Sequence, residues 1–257
     1  MDKNYFLNST NHEDDNLISN IFNKMQIAEK TNKIIFTNDF LSPSVWNQIV
    51  AICENYSVKA FTNGIFKDSD RRMLSFSSYE EPLIYPINLL KIKNSSKFTT
   101  LLHKDYLGAI MSLGIKREKL GDLIIKDEFC YAPVCSDISS YIINNLKDIG
   151  NCPCTVTEYD YTLQELPQRK FEEKIVISTS LRLDGMVAAI CNVSRNNSVG
   201  LIASGKILVN YFQCIKKDKL IKCNDTLTIR GYGKFKVLDI IGSTQKDRLK
   251  VAIVQYI

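Results

Sequence analysis

The stretch Ser180-Leu181-Arg182-Leu183-Asp184-Gly185-Met186-Val187-Ala188-Ala189-Ile190-Cys191, followed by Ser194-Arg195 and by Gly205-Lys206-Ile207-Leu208-Val209-Asn210, decides the fold of the C-terminal part of the chain. Leu183, Val187, Ile190 and Cys191 recur at helical spacing, which predicts a helix with one apolar face. Ser194 suits the N-cap of a second helix, whose stripe is read as Val199, Ile202 and Ala203. Gly205 stands where a C′ glycine stops that helix before a strand. Arg182, Arg195 and Lys206 then share one rim, where guanidinium forks match phosphate oxygens bidentately. The plainer alternative for the two arginines is a solvated helix end or an ion pair with Asp184.

The same residues resemble the S4 RNA-binding domain. Its pattern is Arg-Leu-Asp, a helix, Ser-Arg, a helix, Gly-x-Val-x-Val-Asn, then Gly-Asp before a strand. Arg182-Leu183-Asp184, Ser194-Arg195, Gly205 to Asn210 and Asn224-Asp225 match it, with Ser198 for Ala, Tyr211 for Gly and Asn224 for Gly as departures. Tyr211 falls at the tip of the expected hairpin.

Charge points the same way. Residues 181–257 hold 13 Lys/Arg against 5 Asp/Glu, a balance of +8 within a net charge of +5, so residues 1–180 carry −3. A basic tail on a mildly acidic body fits contact with a polyanion through the tail. Hydrophobic residues at 45% and charged residues at 24% fit a globular chain, and no apolar run nears the roughly 20 residues of a membrane span. The N-terminus, Met1-Asp2-Lys3-Asn4, has no basic and apolar leader, so the expectation is a cytoplasmic protein off the membrane. Its cysteines are then reduced thiols. Cys152-Pro153-Cys154 with Cys130 and Cys135 has the wrong spacing for a zinc knuckle, so neither metal nor cofactor is expected.

Upstream, Ile87–Lys93, Thr100–Leu113, Asp122–Lys126, Phe129–Val134, a helix capped by Ser136 and ended by Gly150, and Thr155–Tyr159 read as βαββαβ, a ferredoxin-like or RRM-like order. Phe129 and Tyr131 share a strand face where RRM proteins stack bases, though half-buried strand residues explain them more simply. Lys116, Arg117 and Lys119 cluster on one loop as candidate phosphate contacts. His103 and Asp105 form only a weak acid–base candidate. Residues 1–76 read as a small α/β unit with stripes at Leu17/Ile21/Met25 and Val45/Ile49/Ile52 and with Ser42-Pro43 opening a helix. Arg71-Arg72 is read as a solvated pair in preference to a phosphate contact. The organisation is therefore α+β: residues 1–76, an RRM-like domain at 81–160, a linker at 161–177 and an S4-like domain at 178–257.

Thr37 to Pro43, His103 to Gly108, Leu113 to Asp122, Ser180 to Asp184 and Arg230-Gly231-Tyr232-Gly233-Lys234-Phe235 together resemble the YlmH family of bacterial S4-domain proteins. The resemblance implies a non-enzymatic binder of rRNA and tRNA at the large ribosomal subunit. It also implies a role in rescue or quality control of stalled translation and a link to cell division; a monomer in isolation is the separate expectation for this chain. The RNA-binding residues it points to are Arg182, Arg195, Lys206, Asn210, Arg230 and Lys234, beside Lys116, Arg117 and Lys119. Two rivals remain. An RNA-modifying enzyme is opposed by the residues after Arg182-Leu183-Asp184, which run on into a helix where a pseudouridine synthase has Thr-x-Gly. Gly231-Tyr232-Gly233 lies between two strands and so makes no methyltransferase cradle. The other rival, an interaction module of the division apparatus, is opposed by the segregation of basic charge.

Overall fold

The computed structural model describes residues 3–10, 14–54, 56–96 and 99–256; Met1-Asp2 of the sequence reading lie outside them. Met1–Gln168 and Arg169–Ile257 form two compact units.

The first unit begins with α1 (Lys3–Ser9), α2 (Asp15–Thr31), β1 (Ile35–Leu41), α3 (Pro43–Cys53), β2 (Lys59–Asn63) and β3 (Arg72–Ser77). The strands form an antiparallel sheet in the order β1-β3-β2. Phe22, Met25, Val45, Ile49, Leu74 and Phe76 are buried between it and the helices. Asp14 caps α2 by accepting the N–H groups of Asn16 and Leu17. Ser42 is the N-cap of α3 with Pro43 at its first position, although the Ser42 hydroxyl bonds Ser44 Oγ rather than the backbone.

Next come β4 (Ile87–Asn94), α4 (His103–Ser112), β5 (Ile124–Lys126), β6 (Phe129–Cys135), α5 (Ser136–Asn145), β7 (Asp148–Ile149) and β8 (Cys152–Glu158). The sheet order β5-β6-β4-β8-β7, antiparallel throughout, is a split βαβ layout with one short added strand. Two local readings are corrected. Ser136 is the first helical residue, and its hydroxyl bonds Asn88 Oδ1 rather than capping the turn. Gly150, at φ +60°, turns the β7–β8 hairpin and does not end α5.

The second unit has β9 (Phe171–Ser178), α6 (Leu183–Cys191), α7 (Arg195–Ala203), β10 (Ile207–Val209), β11 (Phe212–Gln213), β12 (Thr226–Ile229), β13 (Gly233–Ser243) and β14 (Leu249–Tyr256). The sheet runs β11-β10-β12-β13-β14-β9. β9 takes the last seven residues of the segment read as a linker: Phe171 to Ser178 pair with β14 in continuous register at the edge of the sheet. The buried face of the sheet, with Ile207, Leu227, Phe235, Val237 and Ile253, packs on Leu183, Met186, Val187 and Ile202 of the helices. In α7 the buried pair is Ser198 and Ile202, while Ala203, expected in the stripe, is exposed.

Candidate nucleic-acid interface

Asp184 organises the rim of the second unit. It lies in the first turn of α6, where the helix dipole favours an acid, and its side chain is only 4% exposed. Arg182 donates Nε to Oδ1 at 3.2 Å and Nη2 to Oδ2 at 3.1 Å. Arg195, from the first turn of α7, donates Nε and Nη2 to Oδ2 at 3.1 and 3.0 Å. The Gly185 N–H adds a third donor at 2.8 Å. Burial works to raise the Asp184 pKa, yet the hydrogen bonds from Arg182, Arg195 and Gly185 hold it below the usual carboxylate range. Both alternatives raised by the sequence therefore meet here. The arginines are ion-paired with Asp184, and each still keeps its Nη1 donors outside the pair, with side chains 37% and 54% exposed.

The helix junction is fixed by Ser198, fully buried, whose hydroxyl donates to the carbonyl of Asp184 at 2.8 Å. An alanine there would leave that carbonyl without this donor. Ser194 caps α7 as its position predicts, accepting the Asn197 N–H at 3.2 Å. Gly205, at φ +69°, ends the helix with the paired bonds Gly205 N–H to Ile202 O and Lys206 N–H to Leu201 O, a Schellman motif.

Sequence reading missed the loop that borders this rim. The Asp184 and Leu183 N–H groups donate to the carbonyls of Lys217 at 3.0 Å and Lys219 at 2.8 Å, so the loop closes the open first turn of α6. That places the exposed residues Lys216, Lys217 and Lys219 on the chain segment running beside Arg182. The signal was available as a Lys-Lys-Asp-Lys run, but such runs are usually no more than solvated loops. Lys206 and Arg230, both exposed, are joined where the Arg230 N–H donates to the Lys206 carbonyl at 3.0 Å.

Other expected contacts have structural partners. Asn210 Nδ2 donates to Asp225 at 2.7 Å, and its Oδ1 accepts the Thr226 N–H at 2.8 Å. Asn210 and Tyr211, at φ +51° and +70°, form a two-residue hairpin loop of type I′, so tyrosine stands where glycine is easier without changing the turn. Lys234 Nζ donates to the Tyr211 hydroxyl at 3.0 Å and lies 4.3 Å from the centre of the Tyr256 ring.

In the first unit two of the three candidate loop cations, Arg117 and Lys119, are engaged by groups of the same unit. Arg117 donates Nη1 to the carbonyls of Leu120 at 2.6 Å and Gly121 at 3.2 Å, and burial, with Arg71 nearby, lowers its pKa to about 10. Lys119 bridges Asp137 at 2.9 Å and Asp39 at 3.2 Å; burial opposes its charge, but hydrogen bonds to the two carboxylates raise its pKa overall. Lys116 alone of the three is exposed. Arg71 and Arg72 are not a solvated pair: Arg71 donates to the carbonyls of Phe40 and Leu120, and Arg72 to those of Ser69 and Lys67 while stacking on Trp46. Asp122 accepts the N–H groups of Asp70 and Arg71. The strand face bearing Phe129 and Tyr131 is covered by Phe66, Tyr159 and Leu166, and Tyr131 is 8% exposed. Asp105 accepts the Leu102 N–H at 2.8 Å, a helix-start role that explains it without an acid–base partnership with His103. Among the described residues no cluster of His, Cys, Asp and Glu could hold a metal, and no helix is long and apolar enough to cross a membrane.

Residues 82–163 match a family model described as "Putative RNA-binding domain in YlmH". Ribosome-associated protein quality control protein P2 of Bacillus subtilis (strain 168) is 27% identical over 216 residues, covering 83% of this chain and 84% of its own length. The solved structure of cell division protein ylmH from Streptococcus pneumoniae aligns over 58% of this chain and 93% of that one, at 24% identity and a TM-score of 0.49. The family resemblance read in the sequence is borne out in these matches: the chain is similar to the YlmH proteins.

Proposed function

We propose that this protein binds structured rRNA and tRNA through an S4-type C-terminal unit, at the large ribosomal subunit, in the handling of stalled translation. The observation that carries the reading is the rim around Asp184, where one buried carboxylate fixes two half-exposed arginines beside a loop bearing Lys216, Lys217 and Lys219. A phosphate backbone presents repeated anionic oxygens, and a fixed guanidinium loses less freedom on meeting them than a mobile one. Arg182, Arg195, Lys206 and Arg230 are the contacts, with Asn210 and Lys234 holding the hairpins that present them. The name of the Bacillus subtilis relative supports a ribosomal setting and quality control. The protein acts as a binder and not an enzyme, in the cytoplasm, as a monomer without cofactor, with a link to cell division.

A second reading has its own support, since residues 82–163 match a family model described as a "Putative RNA-binding domain". The two are separated by expressing the compact units 1–168 and 169–257 and measuring each against rRNA by filter binding. The C-terminal unit is expected to retain most of the affinity. If residues 1–168 bound as tightly as the full chain, the central domain would be the main site.

A further inference from the structure

Between β3 and β4 the chain runs Ser78-Tyr79-Glu80-Glu81-Pro82-Leu83-Ile84-Tyr85-Pro86 and exposes its apolar side chains. Tyr79 is 73% exposed, Leu83 100% and Ile84 80%, while the residues flanking the Leu-Ile pair, Pro82 and Tyr85, are buried. Tyr85 is fastened by a 2.9 Å hydrogen bond between its hydroxyl and fully buried Ser75. On the other side the Tyr79 N–H donates to Ser77 Oγ, itself buried. The segment is thus held at both ends, with Leu83 and Ile84 turned outward between two anchors. Single exposed apolar residues need no explanation, but a large apolar cluster presented from fixed points marks an interaction surface.

Its charge selects the partner. Glu80 and Glu81 are exposed, and no lysine or arginine occurs between Arg72 and Lys91. Such a segment repels a phosphate backbone and an anionic lipid surface alike. It fits a protein groove with an apolar floor and a basic rim, where the leucine and isoleucine are buried and the glutamates meet cations. Proteins that pack against rRNA carry that sign of surface.

We infer that residues 79–84 form a docking segment for a basic ribosomal protein, a second contact separate from the RNA-gripping rim. This rests on the ribosomal reading above. Because Leu83 and Ile84 are exposed, Leu83→Ser with Ile84→Ser should leave thermal unfolding and affinity for naked rRNA unchanged. Affinity for intact ribosomes should fall at least about tenfold, and about a hundredfold if both aliphatic side chains are fully buried there. The deciding experiment places the photocrosslinker benzoylphenylalanine at position 83 of the full chain, irradiates it with purified ribosomes and identifies adducts by mass spectrometry. The expected result is an adduct with a basic ribosomal protein, diminished by Glu80→Lys with Glu81→Lys. Co-sedimentation with adducts only on rRNA, on a second copy of this chain, on its own residues 169–257, or with no adduct, overturns the docking segment alone. A full chain that does not sediment with ribosomes fails the ribosomal reading, and this inference with it.

Discussion

Arg182 and Arg195 in the C-terminal unit share their chemistry with Arg71 and Arg117 in the N-terminal one, and they differ in what accepts their protons. The first pair converges on one buried carboxylate, which holds each guanidinium by one edge and leaves the other outside the pair. The second pair is directed at main-chain carbonyls of Phe40, Leu120 and Gly121, and burial depresses the pKa of both. A carboxylate at a helix start fixes cations at the surface, whereas carbonyls at a loop draw them inside. Arg182 and Arg195 are thus available to an external anion, whereas Arg71 and Arg117 tie loop 116–122 to the rest of their own unit.

The largest test of this difference is Asp184→Asn. It removes the shared acceptor and leaves two guanidiniums competing for one neutral oxygen. Discounted for the exposure of both arginines, the expected loss is about 2 to 3 kcal/mol of stability in the C-terminal unit, together with weaker RNA binding. The folded-state pKa of Asp184 is depressed below its unfolded value of about 3.9. Its contribution is therefore full above that pH and is lost as pH falls through the folded value. Urea melts of residues 169–257 from neutral pH down to pH 2 should show less acid destabilisation in the variant than in the wild type. Identical acid limbs would mean that the carboxylate is not the anchor.

Next in size is the lysine loop. Because Lys216, Lys217 and Lys219 are exposed and their backbone carries the structural bonds, changing all three to Gln should spare the fold. RNA affinity should fall about tenfold or more, and the log–log salt slope should drop by about 0.7 to 0.9 for each phosphate that the protein no longer neutralises. Lys119→Gln, which removes a lysine already paired with Asp39 and Asp137, should change neither quantity. Equal losses from the two variants would erase the distinction between the units.

Arg117→Met addresses the inward side. Two carbonyls lose a donor, with an expected cost of about 1 kcal/mol in the thermal stability of residues 1–168 and no change in RNA affinity. A reduced affinity with unchanged stability would return Arg117 to the surface role that its sequence neighbourhood implied.

Much of the architecture was legible because local signals agreed with tertiary ones. The first helix of the C-terminal unit follows apolar spacing, though the stripe of the second does not, and the central strands follow alternation between turn residues. The linker reading failed at β9 because Glu172, Glu173 and Lys174 resemble a solvated hinge, while pairing with β14 is a long-range event that composition does not register. The loop cations were misread for a related reason: whether Arg117 faces solvent depends on carbonyls that the fold delivers, and no spacing rule encodes them. Arg182, Asp184 and Arg195 were legible as a group, but not the closing role of the lysine loop, whose backbone matters more to α6 than its side chains.

The smallest expected effect lies within the C-terminal unit, between cations on neighbouring hairpins. Lys234 is engaged by the Tyr211 hydroxyl and lies over the Tyr256 ring, whereas Lys206 and Arg230 are exposed. Tyr211→Phe keeps the left-handed backbone and the ring, so it removes only the hydroxyl acceptor. A half-exposed bond of this kind is worth about 0.5 kcal/mol to the fold. RNA affinity should not change, because Lys234 holds its hairpin rather than meeting phosphate. Lys206→Gln with Arg230→Gln should do the reverse, weakening binding without lowering the unfolding temperature. Should Tyr211→Phe alter RNA affinity by severalfold in either direction, Lys234 would join the contact surface. The line between inward and outward cations would then run through this unit differently.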